Sequence, residues 1–210
     1  MKHLTYGKFI TLEGCEGVGK TTQTQLLMQY VKAHNIDAIF TREPGGTFIS
    51  EKIRGVILDP DCKGMDDVTE LFLYAAARRQ HTQEVILPAL KKGKWVFCDR
   101  YSDSTLAYQG YARGLDKDTV RQINAYAQGE VTVDCTVFLD VCPLEGFKRL
   151  DTRGYKDRLE LESMDFHQAV YQGFKAIAAL EPNRVLSIKN GTAQEVHAAI
   201  IQGLTHKGIV

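Results

Sequence analysis

The eight residues GCEGVGKT, from Gly14 to Thr21, constrain this chain more than any other stretch. Gly14 and Gly19 bracket a loop whose successive backbone N–H groups can converge on one anion, and the helix that follows adds its positive end. Gly14, Cys15, Glu16, Gly17, Val18 and Gly19 supply that backbone; Lys20 neutralises the phosphates of a nucleoside triphosphate, and the Thr21 hydroxyl is placed to ligate Mg²⁺. An apolar run, FITLE at 9–13, precedes the loop and a helical period follows it, which is the context a phosphate loop requires. One residue is out of character: Glu16 puts a carboxylate inside a cradle for anions.

Further apolar runs, AIF at 38–40, WVFCD at 95–99, TVFLD at 136–140 and RVLSI at 184–188, alternate with stretches of helical period. That alternation predicts an α/β fold of the P-loop nucleoside-triphosphate hydrolase type: three layers, a five-stranded parallel sheet and helices on both faces. Helices are predicted with Leu27, Tyr30, Val31 and His34 on one side, with Ile49, Ile53, Val56 and Ile57 on one face, and over about 67–90 with Val68, Leu71, Phe72, Ala75 and Ala76 inward. Three more are predicted over 119–128, 166–180 and 193–204, while the glycines of YQGYARG signal a loop. No linker or repeat divides the chain, so 1–210 reads as a single domain.

Composition excludes several functions. With 26 basic and 26 acidic residues among 210, and 44% apolar side chains, the chain can bury one core and has no overall charge to attract nucleic acid or an acidic membrane. Five cysteines in no metal-binding spacing predict neither a disulfide framework nor a zinc site, and a reducing cytoplasm is the expected setting. No run of about 18 apolar residues predicts a membrane span, and the N-terminus lacks the apolar stretch of a leader.

Two further motifs follow predicted strands and belong at the same sheet edge, where open α/β sheets bind ligands. TREPGG places Glu43 and Pro44 there; an ordinary turn with Glu43 solvated is the alternative. DRYSDSTLAYQG begins with Asp99, where a Mg²⁺ or its waters can be held opposite Thr21, and Arg100, which can clamp a second phosphate by paired hydrogen bonds. A surface ion pair is the alternative for these two. The segment KRLDTRGYKDRLE, 148–160, holds five basic residues around a glycine and reads as a mobile flap or as an exposed charged helix face.

Taken in order, EGCEGVGKTTQ, TREPGGT, ELFLYAAARRQH, DRYSDSTLAYQG and RGYKDRLE resemble the thymidylate kinase family of the bacterial type, over about residues 8–180. The resemblance implies that ATP donates its γ-phosphoryl to the 5′-phosphate of dTMP, giving dTDP for dTTP synthesis de novo and by salvage, with Mg²⁺ and as a homodimer. It implies that Lys20 and Thr21 serve the donor, that Asp99 supports the metal and that Arg100 grips the acceptor phosphate. Tyr74 is matched to an aromatic residue that stacks on thymine, and Arg78, one turn later, to an arginine that donates to its oxygen. Thr105, Tyr108 and Gln109 match the loop lining base and sugar, with Tyr108 crowding the ribose 2′ position. Arg153 matches the catalytic arginine of the lid 148–160, with Arg149 and Arg158 in support, and Glu16 is placed against the sugar 3′-hydroxyl. The apolar helices around Ile49–Ile57 and Leu71–Ala76 are the expected dimer face. A P-loop kinase for another acceptor is the nearest rival; a nucleotide-switched binding protein would need a guanine motif such as Asn-Lys-x-Asp, which the sequence lacks.

Overall fold

β1 (Phe9–Glu13) is buried along its whole length, as a strand must be when parallel neighbours flank it and helices cover both faces. In the computed structural model, which describes residues 7–150 and 157–210, it is joined by β2 (Ala38–Arg42), β3 (Trp95–Asp99), β4 (Cys135–Asp140) and β5 (Val185–Lys189). The five form one sheet in the order β2-β3-β1-β4-β5, parallel throughout. The strands fall where their apolar runs predicted, with β2 two residues longer at its end. Register pairs Leu12 with Asp99 and Asp99 with Arg42. The loops leaving β1, β2 and β3 therefore open side by side at one carboxyl edge.

α1 (Lys20–Ala33) follows β1, and α2 (Phe48–Leu58), α3 (Asp67–His81) and α4 (Leu87–Lys91) lie between β2 and β3. α5 (Ser102–Thr105) and α6 (Lys117–Gln128) precede β4, and α7 (Pro143–Leu150) and α8 (Met164–Leu180) precede β5. α9 (Ala193–His206) closes the chain on a capping box in which Thr192 and Glu195 satisfy each other's backbone N–H. α1 and α9 pack together on one face of the sheet, and α3, α6 and α8 lie on the other. The core runs through both faces, from Leu27 and Ile200 to Phe138 and Phe174.

Several expectations are corrected. Val68, Phe72 and Ala76 of α3 point outward, Phe72 being 57% exposed, whereas Glu70, Arg78 and His81 are buried. The inward polar groups of α3 are met by partners, Arg78 and His81 by Glu43 and Glu70 by Arg113 and Arg158, and Ile49 and Val56 of α2 are likewise exposed beside it. His34 is on the surface, stacked on Tyr30 at 4.0 Å. The predicted 67–90 helix is one continuous rod with a π-helical stretch at Thr82–Ile86. YQGYARG begins in helix: Leu106–Ala112 continues α5 as a π-helical segment packed on α8. Of the 148–160 flap, 151–156 lies outside the described residues.

Candidate active site

The phosphate loop takes its shape from backbone demands. Gly19, the residue before α1, has φ 100°, a left-handed conformation that a side chain would strain. Gly146 of α7 has no such demand, yet a Cβ there would lie 2.1 Å from the Glu16 carbonyl oxygen, so α7 presses directly on the loop. Inside the loop Lys20 Nζ donates to the carbonyls of Cys15 at 2.7 Å and Gly14 at 3.2 Å. Burial and the nearby Arg100 lower its pKa. Cys15 is buried behind the loop, and burial pushes its thiol up to about 12, so it fills space and is inert.

Arg100 sits at the centre. It has φ 68°, a strained conformation for a non-glycine residue. Glu13 over-determines that turn from below by accepting from Tyr101 N at 2.7 Å and from the Ser104 hydroxyl. Burial, with Asp103 next to it, raises the Glu13 pKa. The Arg100 guanidinium donates to the Gly14 carbonyl at 2.8 Å, to Ser104 Oγ at 3.2 Å and to Glu16 Oε1 at 2.5 Å. Tyr108 OH donates to the same Glu16 oxygen at 3.2 Å. Burial opposes ionisation of Glu16, but Arg100, Lys20 and the Tyr108 hydroxyl outweigh it and hold the carboxyl at about 2. The acid in the anion cradle is thus a charged partner for the arginine beside it.

A cleft of about 540 Å³ spreads from this centre. On one side it is lined by Glu16, Gly17, Val18, Gly19, Lys20 and Thr21, with Arg149 of α7. On the other it is lined by Glu43, Pro44, Tyr74 and Arg78, and by Thr105, Tyr108 and Gln109, with Asp99 and Arg100 between the halves. Of the sequence-predicted site residues, Gly14, Cys15 and Arg158 are not on this lining, and Arg153 lies outside the described residues.

Glu43 is buried and not solvated: Arg78 Nε donates to it at 2.8 Å and His81 Nδ1 pairs with its other oxygen at 2.9 Å. Arg78 also donates to Asn124 Oδ1 at 2.6 Å and lies 5.0 Å over the Tyr101 ring, so it is aimed before any ligand arrives. Gln109 is held by Glu70, which Arg113 and Arg158 also engage. The side-chain oxygens of Thr105 and Gln109 are buried and without a partner.

A smaller cavity of about 110 Å³ adjoins the loop on its far side, shares Val18, Gly19, Thr22 and Arg149 with the cleft, and ends at 190–193. Gln23 Nε2 spans it to the Ala193 carbonyl, and Arg149 donates to Asn190 at 2.9 Å. Two binding regions therefore meet at one cationic centre, with an apolar and amide-lined wall across from a phosphate loop.

A sequence model described as "Thymidylate kinase" matches residues 12–200. The chain belongs to the thymidylate kinase family. It is 50% identical to the thymidylate kinase of Oceanobacillus iheyensis over 191 residues, covering 90% of this chain and 85% of that one. It is 49% identical to that of Clostridium novyi over 184 residues, covering 87% and 90%. The crystal structure of thymidylate kinase from Ehrlichia chaffeensis superposes with a TM-score of 0.78 at 35% identity, covering 95% of this chain and 99% of that chain.

As a thymidylate kinase the chain has donors suited to Mg²⁺. Among the described residues no three His, Cys, Asp or Glu gather into a cage. Mg²⁺ bound with phosphates needs only one or two protein oxygens, which suits the exposed Thr21 hydroxyl and the Asp99 carboxylate at the cleft. Residues missed at the sequence level are Glu13, Glu70, Arg54 and Arg42. The two arginines line the cleft and both donate to the Pro44 carbonyl. Arg158 is corrected from lid support to anchor: it is buried, donating to Glu70 and to the Ile57 carbonyl.

Proposed function

We propose that the two halves of the cleft hold ATP and dTMP, so that the γ-phosphoryl of ATP passes to the dTMP 5′-phosphate at the Arg100 centre. As a thymidylate kinase the chain makes dTDP from dTMP and ATP, within dTTP synthesis. The observation that carries the assignment of halves is the pairing of a phosphate loop on one wall with Tyr74 and the pre-aimed Arg78 on the other. Phosphoryl transfer asks for positioning and charge neutralisation more than for a protein nucleophile. Lys20 and the loop amides hold the donor phosphates, and Arg149 borders both the donor half and the smaller cavity, which has room for part of the ATP base. Tyr74 stacks on thymine, Arg78 donates to its oxygen, and Tyr108 crowds the 2′ position. Arg100 binds the acceptor phosphate, with Arg42 and Arg54 adding charge nearby; Glu16 holds Arg100 in line and accepts from the sugar 3′-hydroxyl. Arg153 is assigned to the closing lid. Mg²⁺, held by Thr21, Asp99 and the phosphates, would supply neutralisation of the charge on the transferring group.

The same reading makes the enzyme a cytoplasmic homodimer. Support for the dimer is apolar: Phe48, Ile49 and Val56 of α2 and Val68 and Phe72 of α3 are exposed on two packed helices, and a surface of that kind calls for a partner. Among the described residues no helix is long and apolar enough to cross a membrane, and the five cysteines are free.

A coupled assay of ADP release across dTMP, dUMP, dCMP, dGMP and thymidine tests the function. dTMP is expected to give the highest kcat/KM; activity on dTMP no greater than on the others would refute it.

A further inference from the structure

Glu13 ends β1, is fully buried, and is not on the cleft lining. The peptide N–H groups on either side of the Arg100 Cα both bind this end of the strand: Arg100 N donates to the Leu12 carbonyl at 2.9 Å, and Tyr101 N donates to Glu13 Oε1 at 2.7 Å. The other Glu13 oxygen accepts from the Ser104 hydroxyl, and Ser104 Oγ in turn accepts from the Arg100 guanidinium at 3.2 Å. One side chain therefore holds Arg100 twice, by the backbone that follows it and, through Ser104, by its guanidinium.

The left-handed φ of Arg100 persists only where the surroundings impose it, and a change in that φ would swing the guanidinium away from the place where the two halves of the cleft meet. The counter-charge to Arg100 comes from Glu16, so Glu13 is not needed for that. Burial, and then Asp103 beside it, raise the Glu13 pKa toward the neutral acid; Asp103 is itself fixed by Arg184, which donates to both of its oxygens at 2.8 and 2.9 Å. The part left to Glu13 is hydrogen bonding. We propose that Glu13, without touching the substrate, is a positioning residue for phosphoryl transfer, holding Arg100 in the turn from which its guanidinium meets the acceptor 5′-phosphate. The inference rests on the reading of Arg100 as the group that binds that phosphate.

The test is the Kd of dTMP and of thymidine by titration calorimetry, with kcat and the KM of each substrate, for the wild type, Glu13→Leu and Glu13→Gln. Thymidine lacks the phosphate, so the ratio of its Kd to that of dTMP reads the grip on the phosphate apart from base and sugar. Glu13→Leu removes both bonds, and the ratio is expected to fall about tenfold and kcat about 10–100-fold, with the Kd of thymidine and KM for ATP unchanged. Glu13→Gln is expected to keep the wild-type ratio, because its amide oxygen accepts from Tyr101 N and its NH₂ donates to Ser104 Oγ, a hydroxyl that accepts as well as donates. An unchanged ratio in Glu13→Leu, an equal weakening of dTMP and thymidine, or a ratio in Glu13→Gln as low as in Glu13→Leu would overturn the proposal. A wild type that binds dTMP no tighter than thymidine overturns the reading of Arg100 itself. Should Glu13→Leu fail to fold, Glu13→Asp draws the carboxyl back from Tyr101 N and Ser104, and it is read by the same ratio.

Discussion

At the scale of single residues, the site works by pairing charges before any substrate arrives. Glu16 answers the question its position raises: it neutralises Arg100 and orients it. Its depressed pKa gives a signed prediction. A carboxyl at about 2 when folded and near 4.5 when unfolded adds stability that is fully present above pH 4.5 and lost as pH falls toward 2. In urea unfolding, wild type should lose on the order of 2 kcal/mol more than Glu16→Gln between pH 5 and pH 2; parallel curves would deny the pairing. Glu16→Ala should also weaken dTMP binding and turnover, measured by steady-state kinetics, whereas unchanged values would make Glu16 an ordinary loop residue. The place of Lys20, Arg78 and Gln109 on the cleft was legible because each lies inside a motif. Glu13 and Glu70 were not: each acts on residues dozens of positions away, and an acid at a strand end or in a helix's first turn reads locally as a solvated group or a dipole partner.

At the scale of elements, α3 shows how a correct period can give a wrong face. Its apolar residues repeat as a helix should, but Glu70, Arg78 and His81 are buried beside Leu71 and Ala77, and their charges are met by partners from other elements. Hydrophobic periodicity reports which side avoids water, and a face covered by a second chain avoids it as well as a core does. Phe72→Glu on the exposed stripe should therefore turn a dimer into monomer in sedimentation velocity while leaving the fold intact by circular dichroism; a dimer that persists would move the interface elsewhere. The glycines of YQGYARG misled in the other direction, since Gly110 sits within a helical segment facing Leu106, 3.1 Å from where its Cβ would be. Arg149 of α7 lines both the cleft and the smaller cavity, and Arg149→Ala should raise KM for ATP several-fold with little change in KM for dTMP.

At the scale of the molecule, a five-stranded parallel sheet brings three loops to one edge, and the strand register sets their spacing. The fold was legible because each buried strand is a short apolar run bounded by turn residues, and the β1 loop names its own neighbourhood. The tertiary hydrogen bonds that aim Arg78 and Arg100 leave no sequence pattern, since their partners Asn124 and Glu16 come from distant parts of the chain. The central claim is that one cleft is divided into a donor half and an acceptor half that meet at Arg100. Steady-state kinetics and dTMP binding of Lys20→Ala and Arg78→Ala, measured side by side, test it most directly. Lys20→Ala should lower kcat by about 10²–10⁴-fold with dTMP affinity little changed, and Arg78→Ala should chiefly weaken dTMP binding and its selection over dCMP. Equal effects of the two substitutions on dTMP affinity would contradict the division.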